Sequence, residues 1–262
     1  MENERSTTPE ISADCLTQLR GWYETPLGQS LELSELSALR DALDTLFGFH
    51  LLLVAPPWQG SPLDACRIPH RLVMPRVWRA DNTMASLVGT PEALPVTTDS
   101  LDTIILPHTL EFVAQPHEVL REVDRCLIPE GHVLIQGFNP YGLWGLWRLL
   151  YGWRRRLPWT GRFISQTRVR DWLALLGFDT LACRPLLLRP PIPSLAASHR
   201  LQILDRLGER GWPIPAAGYQ LLARKRVVGM TPIRPRWRPR RSLLSGGLIE
   251  PTRRHHHRTK HE

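Results

Sequence analysis

Apolar residues along this chain follow two grammars, a helical spacing before residue 49 and short continuous runs after it. An amphipathic stretch runs from about Ile11 to Tyr23. Thr25-Pro26 then reads as a helix start, a capping hydroxyl followed by proline in the first turn. Leu36, Leu39, Leu43 and Leu46 recur at helical spacing until Gly48 stops the pattern. From Phe49 onward, HLLLVA (50–55), LDTIIL (101–106) and VLIQGF (133–138) read as strands buried on both faces, with weaker runs at 71–75 and 84–89. Between the last two strong runs, Val119, Leu120, Val123 and Leu127 line one face of a helix that starts near Pro116 and is expected to end at Pro129 and Gly131. Strand, helix and strand at this spacing predict a βαβ unit and parallel pairing. TRVRDWLALLGF (167–178) predicts another helix. DTLACRPLLL (179–188) and GYQLLARKRV (218–227) predict strands around a helix at RLQILDRLGERG (200–211), an order that suits a sheet ending in a reversed strand. The expected class is α/β, with helices on both faces of the sheet.

Composition narrows the setting. An apolar content of 42% supports a sizeable core. No stretch long enough to span a bilayer is free of charge or proline, so no stable membrane insertion is expected. The start, MENERSTTPE, lacks the apolar centre and basic flank of a signal peptide. Cys15, Cys66, Cys126 and Cys183 are scattered without metal or disulfide spacing, which suits a reducing cytoplasm and predicts no metal site. The net charge of +8 is uneven. Nine Arg and Lys against two Glu fall in residues 229–262, so the preceding residues are within one charge of neutrality. Three parts follow: a helical N-terminal extension (1–48), an α/β domain (49–228) and a basic tail (229–262) too poor in apolar periodicity to fold.

The residues from Gly89 to Gly131 carry the most information. Gly89, Glu92, Leu94 and Pro95 form a turn, Leu101-Asp102 opens a strand, and Leu127, Pro129 and Gly131 close a helix. In that order and spacing they resemble the class I S-adenosylmethionine-dependent methyltransferases of the small-molecule type. The flanks WYETPLGQ (22–29) and GFNPYGLWGLWR (137–148) are similar to those of a bacterial subfamily of methyltransferase-domain proteins. The resemblance implies a Rossmann-like sheet of seven strands with the last antiparallel, and S-adenosylmethionine as cofactor. It implies cofactor contacts at Ala55, Trp58 and Gly60 in the turn after the first strand, and at Thr90, Glu92 and Ala93 in the turn that borders the adenine. The pattern is also altered. The family's Gly-x-Gly turn reads Ala55-Pro56-Pro57-Trp58-Gln59-Gly60, where two prolines remove two backbone donors and only Gly60 keeps glycine's freedom. No acid follows the second strand before Asp81, and Thr90 stands at the family's adenine-side Asp.

Two readings of that loop stay open: a rebuilt cofactor turn in which Trp58 offers a face to the ligand, or a rigid loop that closes the old pocket. His108 falls just past the strand at 101–106, at the carboxyl edge where such folds bind ligands. It is the candidate catalytic base or acceptor contact, with a histidine bonded within its own loop as the plainer account. Glu111 could orient it or serve a helix start. Asp102 suits the turn better than chemistry. The stretch 142–163 holds four Trp, five Arg and no acid. It reads as a cover for a bulky apolar or anionic acceptor, as a shallow contact with a membrane surface, or as a helix packing on the sheet. Trp and Arg between Arg234 and Arg241 could touch RNA or an anionic surface, whereas His255, His256 and His257 make no metal site. The functional expectations are therefore methyl transfer to a small or amphipathic acceptor, or a methyltransferase-fold binding module without activity that contacts RNA through its tail.

If residues 229–262 contribute nothing to the core, truncation after Val228 leaves the melting temperature within about two degrees of full length. A larger drop, measured by calorimetry, would show that the tail supports the domain.

Overall fold

The computed structural model describes residues 13–54, 62–75, 86–151, 161–187 and 216–226. The chain divides into two units after Val227, and every described residue belongs to the first. The expected tail, the helix at 200–211 and the loop holding Ala55, Trp58 and Gly60 lie outside the described residues.

Helices α1 (Ala13–Tyr23) and α2 (Pro26–Leu43) open the fold. Thr25 caps α2 as expected, its side chain accepting from the Gly28 amide at 3.2 Å with proline in the first turn. Among the described residues six strands follow, where seven were expected: β1 (His50–Val54), β2 (His70–Met74), β3 (Leu101–Pro107), β4 (Leu127–Phe138), β5 (Phe178–Leu186) and β6 (Gly218–Lys225). Their order in the sheet is β2-β1-β3-β4-β6-β5. The first four strands are mutually parallel, and β6 runs antiparallel to both of its neighbours. This is the Rossmann-like sheet with a reversed strand that the pattern suggests. A strand at 84–89 is not seen in its described part: Ser86 and Leu87 instead donate to the Val73 carbonyl as an irregular flank of β2.

Three further helices, α3 (Pro116–Cys126), α4 (Leu143–Tyr151) and α5 (Gln166–Leu175), complete the described elements, with short 3-10 turns at Pro62–Ala65 and Leu110–Phe112. The β3-α3-β4 unit stands as predicted, except at one boundary. Helix α3 ends at Cys126, and Leu127 already pairs with Leu101. Pro129, Glu130 and Gly131 then form an irregularity within β4, because an extended Leu127 gains a ladder partner that a helical one would lose.

The alternation of strand side chains builds two cores. Leu52, Val54, Ile104, Leu106, Val133 and Ile135 meet Val119, Leu120 and Val123 of α3 and Val169 and Leu173 of α5. Leu51, Leu53, Ile105 and Leu134 meet Leu31, Leu36, Leu39 and Leu43 of α2. Thus α2 packs on one face of the sheet, and α3 and α5 pack on the other. No helix among the described residues is long and apolar enough to cross a membrane.

At the amino edge, Asp102 anchors the start of β1, accepting from the amides of Phe49 at 2.9 Å and His50 at 2.8 Å. Its carboxylate fills the space a side chain at position 48 would need, since a Cβ on Gly48 would lie 2.4 Å from Asp102 Cβ. The structural account of Asp102 holds. Replacing it with Ala strands two amides, so Asp102→Ala is expected to lower the unfolding free energy by about 1–3 kcal/mol in urea denaturation. Asp41→Ala breaks an exposed pair with Arg184 and is expected to cost less than about 1 kcal/mol.

Candidate functional site

The carboxyl ends of β1 to β4 form the edge at which open α/β sheets take ligands. Two constructions occupy it. The first is the turn of residues 89–96, held from behind by α3. Arg125 donates to the carbonyls of Val96 at 2.9 Å and Leu94 at 3.1 Å, while Glu122 accepts from the Leu94 amide at 3.0 Å. Glu122 and Arg125 also pair with each other at 2.8 Å. The Arg125 hydrogen bond holds the Glu122 carboxyl below its ordinary range, with the Leu94 amide adding to the effect. Thr90 and Ala93 bridge back to back, their backbones joined at 3.1 Å. A Cβ on Gly89 would lie 2.7 Å from Pro95 and 3.3 Å from the Met74 sulfur, so the turn rests directly on the end of β2. Thr90 and Ala93 are exposed and Glu92 is half-buried.

The second construction surrounds His108. Its position at the end of β3 is the expected one, but its environment is a closed ion-pair cluster. The residue is 2% exposed. Its Nδ1 lies 2.7 Å from Glu111 Oε2 and its Nε2 lies 2.7 Å from Glu35 Oε1. With both carboxylates ionised, two acceptors call for two N–H donors, and the ring is then an imidazolium. Neither ring nitrogen is left to take a proton from an acceptor. Tyr23 donates to Glu35 at 3.1 Å, and the Phe138 amide donates to Glu111 Oε1. The His108 amide donates to the Gln136 carbonyl at 2.9 Å, and Gln136 Nε2 reaches the Glu35 carbonyl at 3.1 Å. The backbone of His108 is left-handed, with φ of 47°, a conformation that costs a non-glycine residue roughly 1–2 kcal/mol and persists only where its surroundings enforce it.

Burial alone presses the His108 pKa down. The charges of Glu35 and Glu111, with their hydrogen bonds, outweigh it and raise the value from 6.5 to about 10. Burial raises Glu35 as well, against the opposing charge and hydrogen bond of His108. Both shifts have the same sense: the cluster holds its protons more tightly folded than unfolded.

Glu35 and Tyr23 were not among the candidates read from the sequence. The available signal was a carboxylate set between Leu31 and Leu39, four residues from each, on the face of α2 that those leucines bury. Glu122 and Arg125, one turn apart on α3, gave no such sign. The acid sought after the second strand is absent at Met74 and Pro75, and the residues that follow, through Asp81, are outside the described ones. Asn139-Pro140-Tyr141 is a local turn into α4, Asn139 Oδ1 accepting from the Tyr141 amide at 3.1 Å.

Residues 70–135, from the start of β2 into β4, match a family model described as a methyltransferase domain. The fold is shared with an S-adenosylmethionine-dependent methyltransferase from Thermotoga maritima, at 17% identity and a TM-score of 0.58 over 82% of this chain and 99% of that one. It is also shared with one from Archaeoglobus fulgidus, at 15% identity and a TM-score of 0.53 over 72% and 92% of the respective chains. In sequence the chain is 29% identical over 233 residues to the uncharacterised protein YafS of Escherichia coli K12, covering 88% of each. It is 29% identical over 177 residues to an uncharacterised protein of Mycobacterium tuberculosis, covering 65% of this chain and 60% of that one.

The raised pKa of His108 fixes the sign of a pH effect. A group whose folded value exceeds its unfolded value stabilises fully below the latter and loses that contribution as pH rises through the former. Unfolding free energy is therefore expected to fall between about pH 6.5 and about pH 10. In His108→Asn, a side chain that tolerates the left-handed backbone, that slope is expected to flatten in urea titrations across the same range.

Proposed function

We propose, for a chain with the class I S-adenosylmethionine-dependent methyltransferase fold and a methyltransferase domain over residues 70–135, that it transfers methyl to a small or amphipathic acceptor in the cytoplasm. S-adenosylmethionine is the cofactor that the domain match and the fold support. The observation that carries the reading is the turn of residues 89–96. Clamped by Glu122 and Arg125 and seated on Met74, it offers Thr90, Glu92 and Ala93 at the carboxyl edge, where the adenine side of the cofactor would lie. Ala55, Trp58 and Gly60 are assigned to the rest of the cofactor. Bound there, the cofactor supplies a sulfonium-activated methyl group. The protein's part is alignment and exclusion of water, which needs no general base. His108, enclosed by two carboxylates, is assigned to positioning the end of β3. An acceptor that loses its proton readily suits such a site better than an alcohol. The basic segment 229–262 is assigned a weak, phosphate-led contact with RNA or an anionic surface, which added salt weakens.

A second reading, a binding module that keeps the fold without transfer, is favoured by the enclosure of His108 and by the prolines at 56 and 57. Calorimetric titration with S-adenosylhomocysteine separates the two. Transfer predicts measurable binding, weakened about fivefold or more by Trp58→Ala and also reduced by Glu92→Ala. No heat from folded protein at millimolar ligand overturns the enzyme reading in favour of the module.

A further inference from the structure

Helices α3 and α5 pack on the same face of the sheet, and their outer flanks meet where His117 of α3 lies 4.1 Å from Trp172 of α5, ring centroid to ring centroid. At spacings of four residues, Arg121 shares a line with His117 on α3, and Arg168 shares one with Trp172 on α5. The Arg168 guanidinium is 5.3 Å from the Trp172 ring centroid. Trp172 is half-buried and packs against the core, which fixes its ring, whereas His117, Arg121 and Arg168 are exposed. Arg162, also exposed, lies where both helices begin: it precedes α5 by four residues, and its amide donates to the Glu111 carbonyl in the loop before α3. Among the described residues none of Arg121, Arg162 and Arg168 is in an ion pair. Arg125, Arg224, Lys225 and Arg226, by contrast, each have a carboxylate partner at 2.8 to 3.3 Å. Asp124, three residues beyond Arg121, is taken by Lys225 at 3.4 Å. Glu118 and Asp171 sit about 100° around their helices from His117 and Trp172, off the two lines.

Three guanidiniums without carboxylates and two aromatic rings in one strip call for a partner that brings both anions and flat rings. Arg fits its planar fork to phosphate oxygens. Trp and His offer ring surface to unstacked bases, which single strands expose and duplexes hide. An acidic peptide would supply the anions and leave the aromatic part unused. We propose that the strip of His117, Arg121, Arg162, Arg168 and Trp172 binds single-stranded RNA, apart from any contact made by the basic segment 229–262. The binding holds under either reading of the cofactor site, since none of the five residues belongs to it.

The test is fluorescence anisotropy of a labelled oligouridylate of about sixteen nucleotides, titrated with the full chain. The double variant Arg121→Gln with Arg168→Gln should weaken binding about tenfold and lower the slope of log affinity against log salt by about 0.7 for each arginine removed. Arg40→Gln with Arg67→Gln removes the same charge from exposed arginines away from the strip, and should leave affinity within about twofold. No binding by the full chain overturns the proposal, as does a loss in the strip variant no greater than in this control. Poly-glutamate that binds as tightly as the oligonucleotide overturns it in favour of an acidic protein partner. Photocrosslinking with 4-thiouridine in the same oligonucleotide gives a reading that does not depend on any variant folding. Crosslinks to peptides of α3 and α5 are expected, and crosslinks confined to residues 229–262 overturn the proposal.

Discussion

The arrangement of the carboxyl edge depends on one buried contact, the imidazolium of His108 between the carboxylates of Glu35 and Glu111. Burying three ionisable groups is costly, and the attraction among them offsets that cost only when every remaining polar atom is also bonded. Here Tyr23 and the Phe138 amide supply bonds to the two carboxylates. The cluster therefore joins α1, α2, the end of β3 and the end of β4 through groups none of which can leave alone. It also accounts for the left-handed backbone at His108, which a loop at this position has no reason to adopt unless the ring is held.

The cluster makes the N-terminal helices part of the edge. Leucines of α2 fill the core against β1, β3 and β4, and its one buried carboxylate reaches the end of β3. The second layer of support is aromatic. Phe138 packs on the His108 ring at 4.2 Å and on Phe163 at 4.9 Å, and the Glu111 carbonyl accepts from the Arg162 amide at 3.0 Å. Arg162 and Phe163 are thus seated on the same cluster as the strands.

The turn of residues 89–96 is supported independently, from the opposite face of the sheet. Its carbonyls and one amide are satisfied by Arg125 and Glu122, a pair one turn apart on α3. Half-exposed pairs contribute little to stability, so their value here lies in fixing a loop that has no ladder of its own. Two unrelated devices, a buried charge cluster and a surface fork, thus shape the two sides of one edge.

The sequence alone determined whatever rests on near neighbours along the chain. The Thr25 cap, the apolar runs of β1, β3 and β4, the α3 face at Val119, Leu120 and Val123, and the reversed strand after α5 were all legible in it. Period and capping are local properties, set within a few residues. The family pattern between Gly89 and Gly131 was legible for the same reason, and so was the position of His108 at the edge. Its role was not. Glu35 lies 73 positions earlier, on the helix face of Leu31 and Leu39, and nothing in its own segment names His108 as its partner. Only the docking of α2 on the sheet decides that this carboxylate faces inward, because burial belongs to the pairing of faces and not to either segment. The end of α3 at Cys126 was settled in the same way, when pairing with Leu101 drew Leu127 into the sheet. A charge changes its chemistry when water is taken from it, and which residues lose their water is decided by tertiary contact.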